Sequence, residues 1–309
     1  MIQENTRFLI VGLGLIGGSY AMGLKKNGYH VDAIEINQLS IDYAIKHNII
    51  DRGSTFDIDY IKEADIIISG LYPNMTVDWI TTYQKYFKPG ALITDVSSVK
   101  TGVVEPIQKI IRRDVEFISS HPMAGKEVSG VKFADDSIFH IANFIILPTE
   151  SNTKEAVATM RQFAEILGFS NISELTVAQH DEMIGFVSHL THAIAVSLMN
   201  TNDNTHLVEY TGDSFRDLTR IAKINENLWS EVFFLNKENL IREIDDFIQE
   251  VNHLKATLEQ DDVEGLKELF IQSTARRKLF DRWEVSVWNM SRIWKRNIKI
   301  SYAKRTVNV

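Results

Sequence analysis

Short, almost unbroken apolar runs alternate with amphipathic stretches through the first half of this chain. Phe8-Leu9-Ile10-Val11, Asp65-Ile66-Ile67-Ile68-Ser69, Ala91-Leu92-Ile93-Thr94 and Asn143-Phe144-Ile145-Ile146-Leu147 lack the polar alternation of a half-exposed strand. Such runs suit strands of a parallel sheet covered on both faces. Further strands are expected at 30–35 and 116–119 and a final one at 172–175. Helical periodicity predicts helices over about 15–27, 38–47, 75–86, 101–112 and 153–167, the last closed by Gly168 as a C-cap. Strand alternating with helix implies βαβ units and a doubly wound sheet.

Beyond about Thr176 the texture changes. From there to Asp281 there is no proline and only three glycines, Gly185, Gly212 and Gly265, and long helical periodicities run over 184–200 and 229–258. The fold class expected is therefore α/β: a doubly wound parallel sheet over 1–175, then an all-helical domain over 176–281. Helices this long often pack against a second copy, so a homodimer is expected.

Composition narrows the classes. The 309 residues leave room for about two domains. With 44% apolar and 24% charged residues the chain reads as an ordinary globular protein. No cysteine is present, which excludes disulfides, thiolate nucleophiles and cysteine-ligated zinc. The first strand follows a short polar lead without a signal-peptide pattern, and no apolar run approaches the ~20 residues of a membrane span; a cytoplasmic location is expected. The net charge of −8 is unevenly placed. Residues 282–309 are a basic tail of net +6, which leaves −14 on residues 1–281. An acidic body argues against broad nucleic-acid binding, so no nucleic-acid or membrane partner is expected. An anionic substrate must then be held by a few well-placed cations.

Candidate chemistry begins at Val11-Gly12-Leu13-Gly14-Leu15-Ile16-Gly17-Gly18, a G-x-G-x-x-G pattern that follows a buried strand and opens a helix. That context makes the sheet a Rossmann-type, dinucleotide-binding one. Gly12 permits the turn, Gly14 the approach of backbone to pyrophosphate, and Gly17 close helix–strand packing. Glu35 ends the second strand eighteen residues after Gly17. Its carboxylate suits ribose hydroxyls and repels a 2′-phosphate, and Ile36-Asn37-Gln38 offers no cation to offset that, so NAD is expected over NADP. Gly12, Gly14, Leu15, Ile16, Gly17, Glu35 and Ser97 are the expected cofactor residues.

Ser98 and Lys100 follow the strand at 91–94, where the carboxyl ends of strands line the ligand crevice, and either is expected to reach toward the nicotinamide end; Ser98 also suits a cap for the helix near Thr101. His121, in Ser119-Ser120-His121-Pro122, follows the next strand and opens onto the same crevice. Its ordinary pKa near ~6.5 suits a proton acceptor at neutral pH. His189 and His192 share a helical face at i, i+3. That spacing permits a metal with His180 or Asp181 as further ligands, but nothing supplies a demonstrated third ligand, and no metal is expected. Arg216 and Arg220 lie one turn apart, with Asp217 available to pair with either; a planar guanidinium there suits bidentate binding of a carboxylate. Trp229 suits either core packing or the wall of a ring-shaped substrate.

Taken together, GLGLIGGS at 12–19, DVSSVK at 95–100, SHPMAGKEVSG at 120–130, HDEMIGFVSHLTHAIA at 180–195 and FRDLTRIA at 215–222 resemble the prephenate dehydrogenase family of tyrosine biosynthesis. The resemblance covers residues 7 to about 281. It implies oxidative decarboxylation of prephenate with NAD to 4-hydroxyphenylpyruvate. It implies that His121 takes the proton of the ring hydroxyl and that Ser98 bonds His121 or the same hydroxyl. Arg220 would anchor a substrate carboxylate, while His192, His189, Trp229 and Glu127 would line the pocket. The arginine helps most if it holds the side-chain carboxylate, because gripping the departing ring carboxylate would stabilise the ground state. Two features depart from the family: Lys126 stands where many members carry a small hydroxyl residue, and the tail after Arg282 has no familiar counterpart. That tail is too short for an ACT-type regulatory domain, and no chorismate mutase domain is expected before the glycine turn. Arogenate dehydrogenases share the motifs, so arogenate is the rival substrate. Less favoured are an imine or hydroxyacid reductase, which would need a lysine acid in the helical domain, and a non-catalytic NAD-binding regulator.

Overall fold

The computed structural model describes residues 1–280; the basic tail at 282–309 lies outside the described residues. They divide into two compact units, Met1–Glu243 and the residues from Ile244 onward.

The first unit is built on a six-stranded parallel sheet. Its strands are β1 (Arg7–Val11), β2 (His30–Ile34), β3 (Arg52–Ser54), β4 (Ile66–Ser69), β5 (Leu92–Asp95) and β6 (Glu116–Phe117), in the order β3-β2-β1-β4-β5-β6. Helices α1 (Leu15–Lys26), α2 (Gln38–Lys46), α3 (Ile58–Glu63), α4 (Pro73–Tyr83) and α5 (Val104–Ile110) connect them. Successive residues of a strand face opposite ways, and β1 shows the result. Phe8 and Ile10 enter one apolar layer with Tyr20, Phe144 and Phe163, while Leu9 and Val11 enter the other with Ile80, Phe87 and Phe117. Both faces are covered, which is why the strands read as continuous apolar runs. The strand order reverses between β1 and β4, the crevice where ligands of open α/β sheets lie.

Four expectations about the first half need correction. The strand expected at 116–119 breaks after Phe117, and the chain starts β7 (Ser119–Pro122) in a second sheet. That sheet has the order β7-β8-β9, with β8 (Asn143–Leu147) antiparallel to β7 and parallel to β9 (Asn171–Glu174). The apolar run at 143–147 therefore belongs to a separate small sheet, because full burial is common to both settings and only pairing tells them apart. His121 lies inside β7, opposite Ile145, instead of after a strand. Finally, α5 starts at Val104, with no side-chain cap, so Ser98 does not cap it. The short β3 and α3 escape sequence reading because neither is long enough to show a period.

Helix α6 (Lys154–Ile166) leads through β9 to α7 (Val177–Ile184), capped by a reciprocal Thr176–Gln179 box. A π-helical turn over Gly185–Leu190 joins α7 to α8 (Thr191–Asn200). The stretch Val177–Asn200 is long and apolar enough, at mean hydropathy 1.3, to cross a membrane by length and composition. That corrects the expectation that no run approaches such a length; scattered histidines and Asp181 hide it from a search for unbroken runs. Of these, His180 and Asp181 are hydrogen-bonded to the α/β part, at His121, Lys100 and Thr101. Helices α9 (Asp213–Thr219), α10 (Glu226–Leu235) and the first turns of α11 (Lys237–Glu259) complete the unit.

The second unit holds the rest of α11 and α12 (Val263–Arg277), joined by a tight turn with Asp261 at φ 53°. Phe247, Val251, Leu254, Leu269 and Phe280 line a groove of about 440 Å³ along this pair.

Candidate active site

β1 runs straight into the glycine turn. Gly12 sits at φ 94°, and its N–H donates to the Ile34 carbonyl at 2.8 Å. A Cβ on Gly17 would stand 2.1 Å from the Gly12 carbonyl oxygen, so only glycine lets α1 start this close to β1. A Cβ on Gly14 would meet nothing within 4 Å, so the outer face of the turn is open to a ligand. Gly14 caps α1 without a side-chain bond, and the first turn, which includes Leu15 and Ile16, holds no acid. The helix therefore presents free N–H groups and the positive end of its dipole. Glu35 braces the turn from the end of β2, its Oε2 accepting the Leu13 N–H at 2.7 Å and its Oε1 the Asn37 N–H at 2.9 Å. These residues fit the pyrophosphate and ribose of a dinucleotide. Past β5, the Ser97 hydroxyl is buried without a partner, a polar atom left for a ligand.

Across the crevice stands a buried chain of polar groups. His121, only 8% exposed, meets His180 Nε2 through its Nδ1 at 2.9 Å. His180 Nδ1 meets Asp181 Oδ1 at 2.7 Å. The Asp181 carboxylate also accepts the Lys100 N–H at 3.0 Å and the Thr101 N–H at 2.6 Å, and so serves as the missing cap of the turn before α5. Lys100 does not point to the nicotinamide end as expected. Its side chain is fully buried, donating to Asp95 Oδ2 at 2.9 Å and to the Ser120 carbonyl at 2.6 Å. Asp95 further accepts the Ser119 hydroxyl at 2.5 Å and the Ser97 N–H at 3.0 Å. The strand carrying His121 is thus tied to the end of β5 and the loop after it, through the Ser119 hydroxyl and the Ser120 carbonyl. Ser98 bonds neither His121 nor any other described side chain.

Burial sets the electrostatics. It pushes His121 well below 6.5, and the charges of His180, Lys100 and His189 act in the same direction. Burial also lowers His180, against the opposing pull of Asp181. His189 falls to about 4, again chiefly through burial. A neutral imidazole at position 121 is the form these surroundings favour.

The helical side of the site centres on Trp229. His192 stacks on its ring with centroids 3.7 Å apart, and His189 meets it edge-on at 6.1 Å. His192 donates from Nδ1 to the Ser188 carbonyl at 2.8 Å, which leaves its Nε2 bare. Asn236, buried at the end of α10, donates from Nδ2 to the Asp181 carbonyl at 2.8 Å and lies 3.2 Å from His189 Nδ1. His189 Nε2 is buried with no partner. At the rim, the Arg220 guanidinium pairs with Glu127, while Arg216 pairs with Asp213 and leaves Asp217 unused. Burial works against the charge on Glu127, but Arg220 outweighs it and holds the carboxyl below its ordinary range.

Nearly all the residues singled out from the sequence therefore fall into connected groups: glycine turn with Glu35, His121 with His180 and Asp181, the two histidines with Trp229, and Glu127 with Arg220. His180 and Asp181 entered the sequence reading only as metal ligands, and among the described residues no cluster of three or more His, Asp or Glu is arranged to hold a metal. Asn236 and the Asp95–Lys100 pair were not anticipated. The adjacency of His180 and Asp181 on one buried helix was visible, but nothing in sequence spacing says that they reach His121 across 59 residues.

Comparison with known proteins agrees with this fold. Residues 20–172 match a family model described as the nucleotide-binding domain of prephenate dehydrogenase, and residues 176–272 match its dimerization domain. Prephenate dehydrogenase of Bacillus subtilis is 30% identical over 278 residues, which cover 87% of this chain and 75% of that protein. Cyclohexadienyl dehydrogenase of Zymomonas mobilis is 27% identical, over 87% of this chain and 94% of its own length. The crystal structure of Aquifex aeolicus prephenate dehydrogenase with hydroxyphenyl propionate and NAD+ superposes with a TM-score of 0.82 at 30% identity, covering 89% of this chain and 98% of that one. With a relative at that identity matched over three quarters of its length, and both domains matched in order, the chain belongs to the prephenate dehydrogenase family.

Proposed function

We propose that this chain catalyses the NAD-dependent oxidative decarboxylation of prephenate to 4-hydroxyphenylpyruvate, with His121 as the base. The observation that carries the reading is the state of His121. It is buried, held neutral, and engaged at Nδ1 by His180, so Nε2 is the nitrogen left for substrate. A bound NAD would supply a hydride acceptor for ring C4. As that hydride leaves, His121 Nε2 takes the proton of the C4 hydroxyl, and the oxygen becomes a carbonyl. Loss of the ring carboxylate as carbon dioxide then sends its electron pair through the ring to that oxygen, which recovers the proton from His121 as the ring becomes aromatic. Aromatisation supplies much of the driving force, so the protein need only start the transfer and keep the ring carboxylate poorly solvated.

Arg220 is suited to anchor the side-chain carboxylate, with Trp229 and His192 walling the ring. Ser98, free of other bonds, is available to the ring hydroxyl. Glu35, with no cation following it, favours NAD over NADP. Homodimerisation is supported by the dimerization-domain match over 176–272 and by exposed apolar side chains on α12 such as Phe270 and Ile271. A second reading, dual use of arogenate, has one observation behind it. The Glu127 carboxylate beside Arg220 offers a partner to an ammonium group, and a cyclohexadienyl dehydrogenase is among the relatives.

Replacing His121 by Asn tests the assignment. Turnover is expected to fall by roughly 10²–10⁴ with NAD affinity retained, the scale of a lost general base. Unchanged turnover would remove His121 from its role.

A further inference from the structure

We infer that His180 and Asp181 are positioning residues that fix the tautomer of His121, delivering a bare Nε2 to the substrate. The inference rests on His121 being the base, as proposed above, and adds what decides which of its nitrogens is free.

The argument is one of donors and acceptors. Asp181, hydrogen-bonded to the backbone N–H groups of Lys100 and Thr101, is an ionised carboxylate and can only accept. Its third contact, His180 Nδ1 at 2.7 Å, must therefore be the donor. A neutral imidazole has one N–H, so His180 Nε2 carries a lone pair. That lone pair faces His121 Nδ1 at 2.9 Å, which must then carry the proton. The only lone pair left on His121 is at Nε2. A cationic His180 would reverse the last step by donating from both nitrogens. Its burial and the Lys100 ammonium disfavour that cation; Asp181 and Asp95 favour it, and the balance is toward neutral. His189, the remaining titratable group that acts on His121, is itself held neutral.

The anchoring of Asp181 makes the device directional. Oδ2 accepts from Thr101 at 2.6 Å, the shortest of these bonds, while the Lys100 N–H is shared between Oδ1 at 3.0 Å and Oδ2 at 3.2 Å; backbone donors cannot change sign, so the Thr101 bond decides where an acceptor must stay. An Asn at 181 must keep its oxygen there and turn its Nδ2 toward His180. His180 Nδ1 is then forced bare, its Nε2 becomes the donor, and the proton on neutral His121 moves to Nε2. An amide behind a catalytic imidazole costs a serine protease about 10⁴ in turnover by the same reversal. His180→Gln is the contrasting variant. Asp181 still demands a donor, so the glutamine turns its Nε2 to Asp181 and its Oε1 to His121, which preserves the polarity.

The test uses the full chain labelled with ¹⁵N-histidine. In the unsubstituted protein the His121 resonances are expected to show a protonated Nδ1 and a bare Nε2; the opposite tautomer overturns the inference without recourse to any variant. Asp181→Asn is expected to exchange the two signals and lower kcat by about 10²–10⁴, while NAD affinity stays within a few-fold. His180→Gln is expected to keep the signals and lose only about tenfold, provided polarity and not the ring is what matters. Asp181→Asn with full kcat and the original tautomer contradicts the proposal. Were His121→Asn to retain activity, the base assignment would fail by itself, and the tautomer spectrum would still stand as a separate result.

Discussion

The proposed base, His121, can accept a proton only while neutral, and its surroundings extend the pH range over which it is. Burial, with His180, Lys100 and His189, places its pKa well below 6.5. The sign follows directly: lowering the pH costs activity only once it passes below the lowered pKa, so kcat/KM stays level from about pH 8 down through ~6.5 and falls below that. A pH–rate profile with prephenate measures this. An acid limb centred at or above pH 7 would mean that the group controlling the rate is not a buried, neutral histidine. The same residue illustrates what spacing can and cannot reveal. That a histidine stood near a strand end and a nucleotide turn was legible; that its Nδ1 was already committed to His180 was not, because hydrogen bonds across 59 positions leave no local pattern.

At the scale of elements, the loop after β5 joins the two sheets. Lys100 crosses from that loop to the Ser120 carbonyl in β7 and neutralises Asp95 at the end of β5, with both side chains fully buried. Removing one partner of a buried pair leaves the other uncompensated. Lys100→Met is expected to lower unfolding free energy by about 3–5 kcal/mol, read from denaturant titration; a loss below about 1 kcal/mol would show that Asp95 is not a charge dependent on Lys100. The parallel sheet itself was legible from the apolar runs, since burial on both faces removes polar alternation, and the glycine turn was legible from its place after β1. The small sheet was not. β8 is as apolar as the strands of the main sheet, and β7, Ser-Ser-His-Pro, looks like a loop because its side chains serve the site and not a core. The break at Asn236 between α10 and α11 was likewise hidden inside a long helical period, although that asparagine is where the helical side bonds Asp181 and His189.

At the scale of the whole molecule, residues 1–281 carry a net charge of −14, while the proposed substrate, prephenate, is a dianion. The overall field would repel such a substrate, so recognition would fall to local cations such as Arg220, which pairs with Glu127 at the rim of the site. This is why substrate choice hangs on a few side chains, and why the family alone, which includes enzymes for either substrate, does not fix it. The most direct measurement is NADH or NADPH formation by the purified protein in four parallel assays, prephenate or arogenate with NAD or NADP. The account predicts that prephenate with NAD gives by far the highest kcat/KM. A large preference for arogenate, or for NADP, would contradict it.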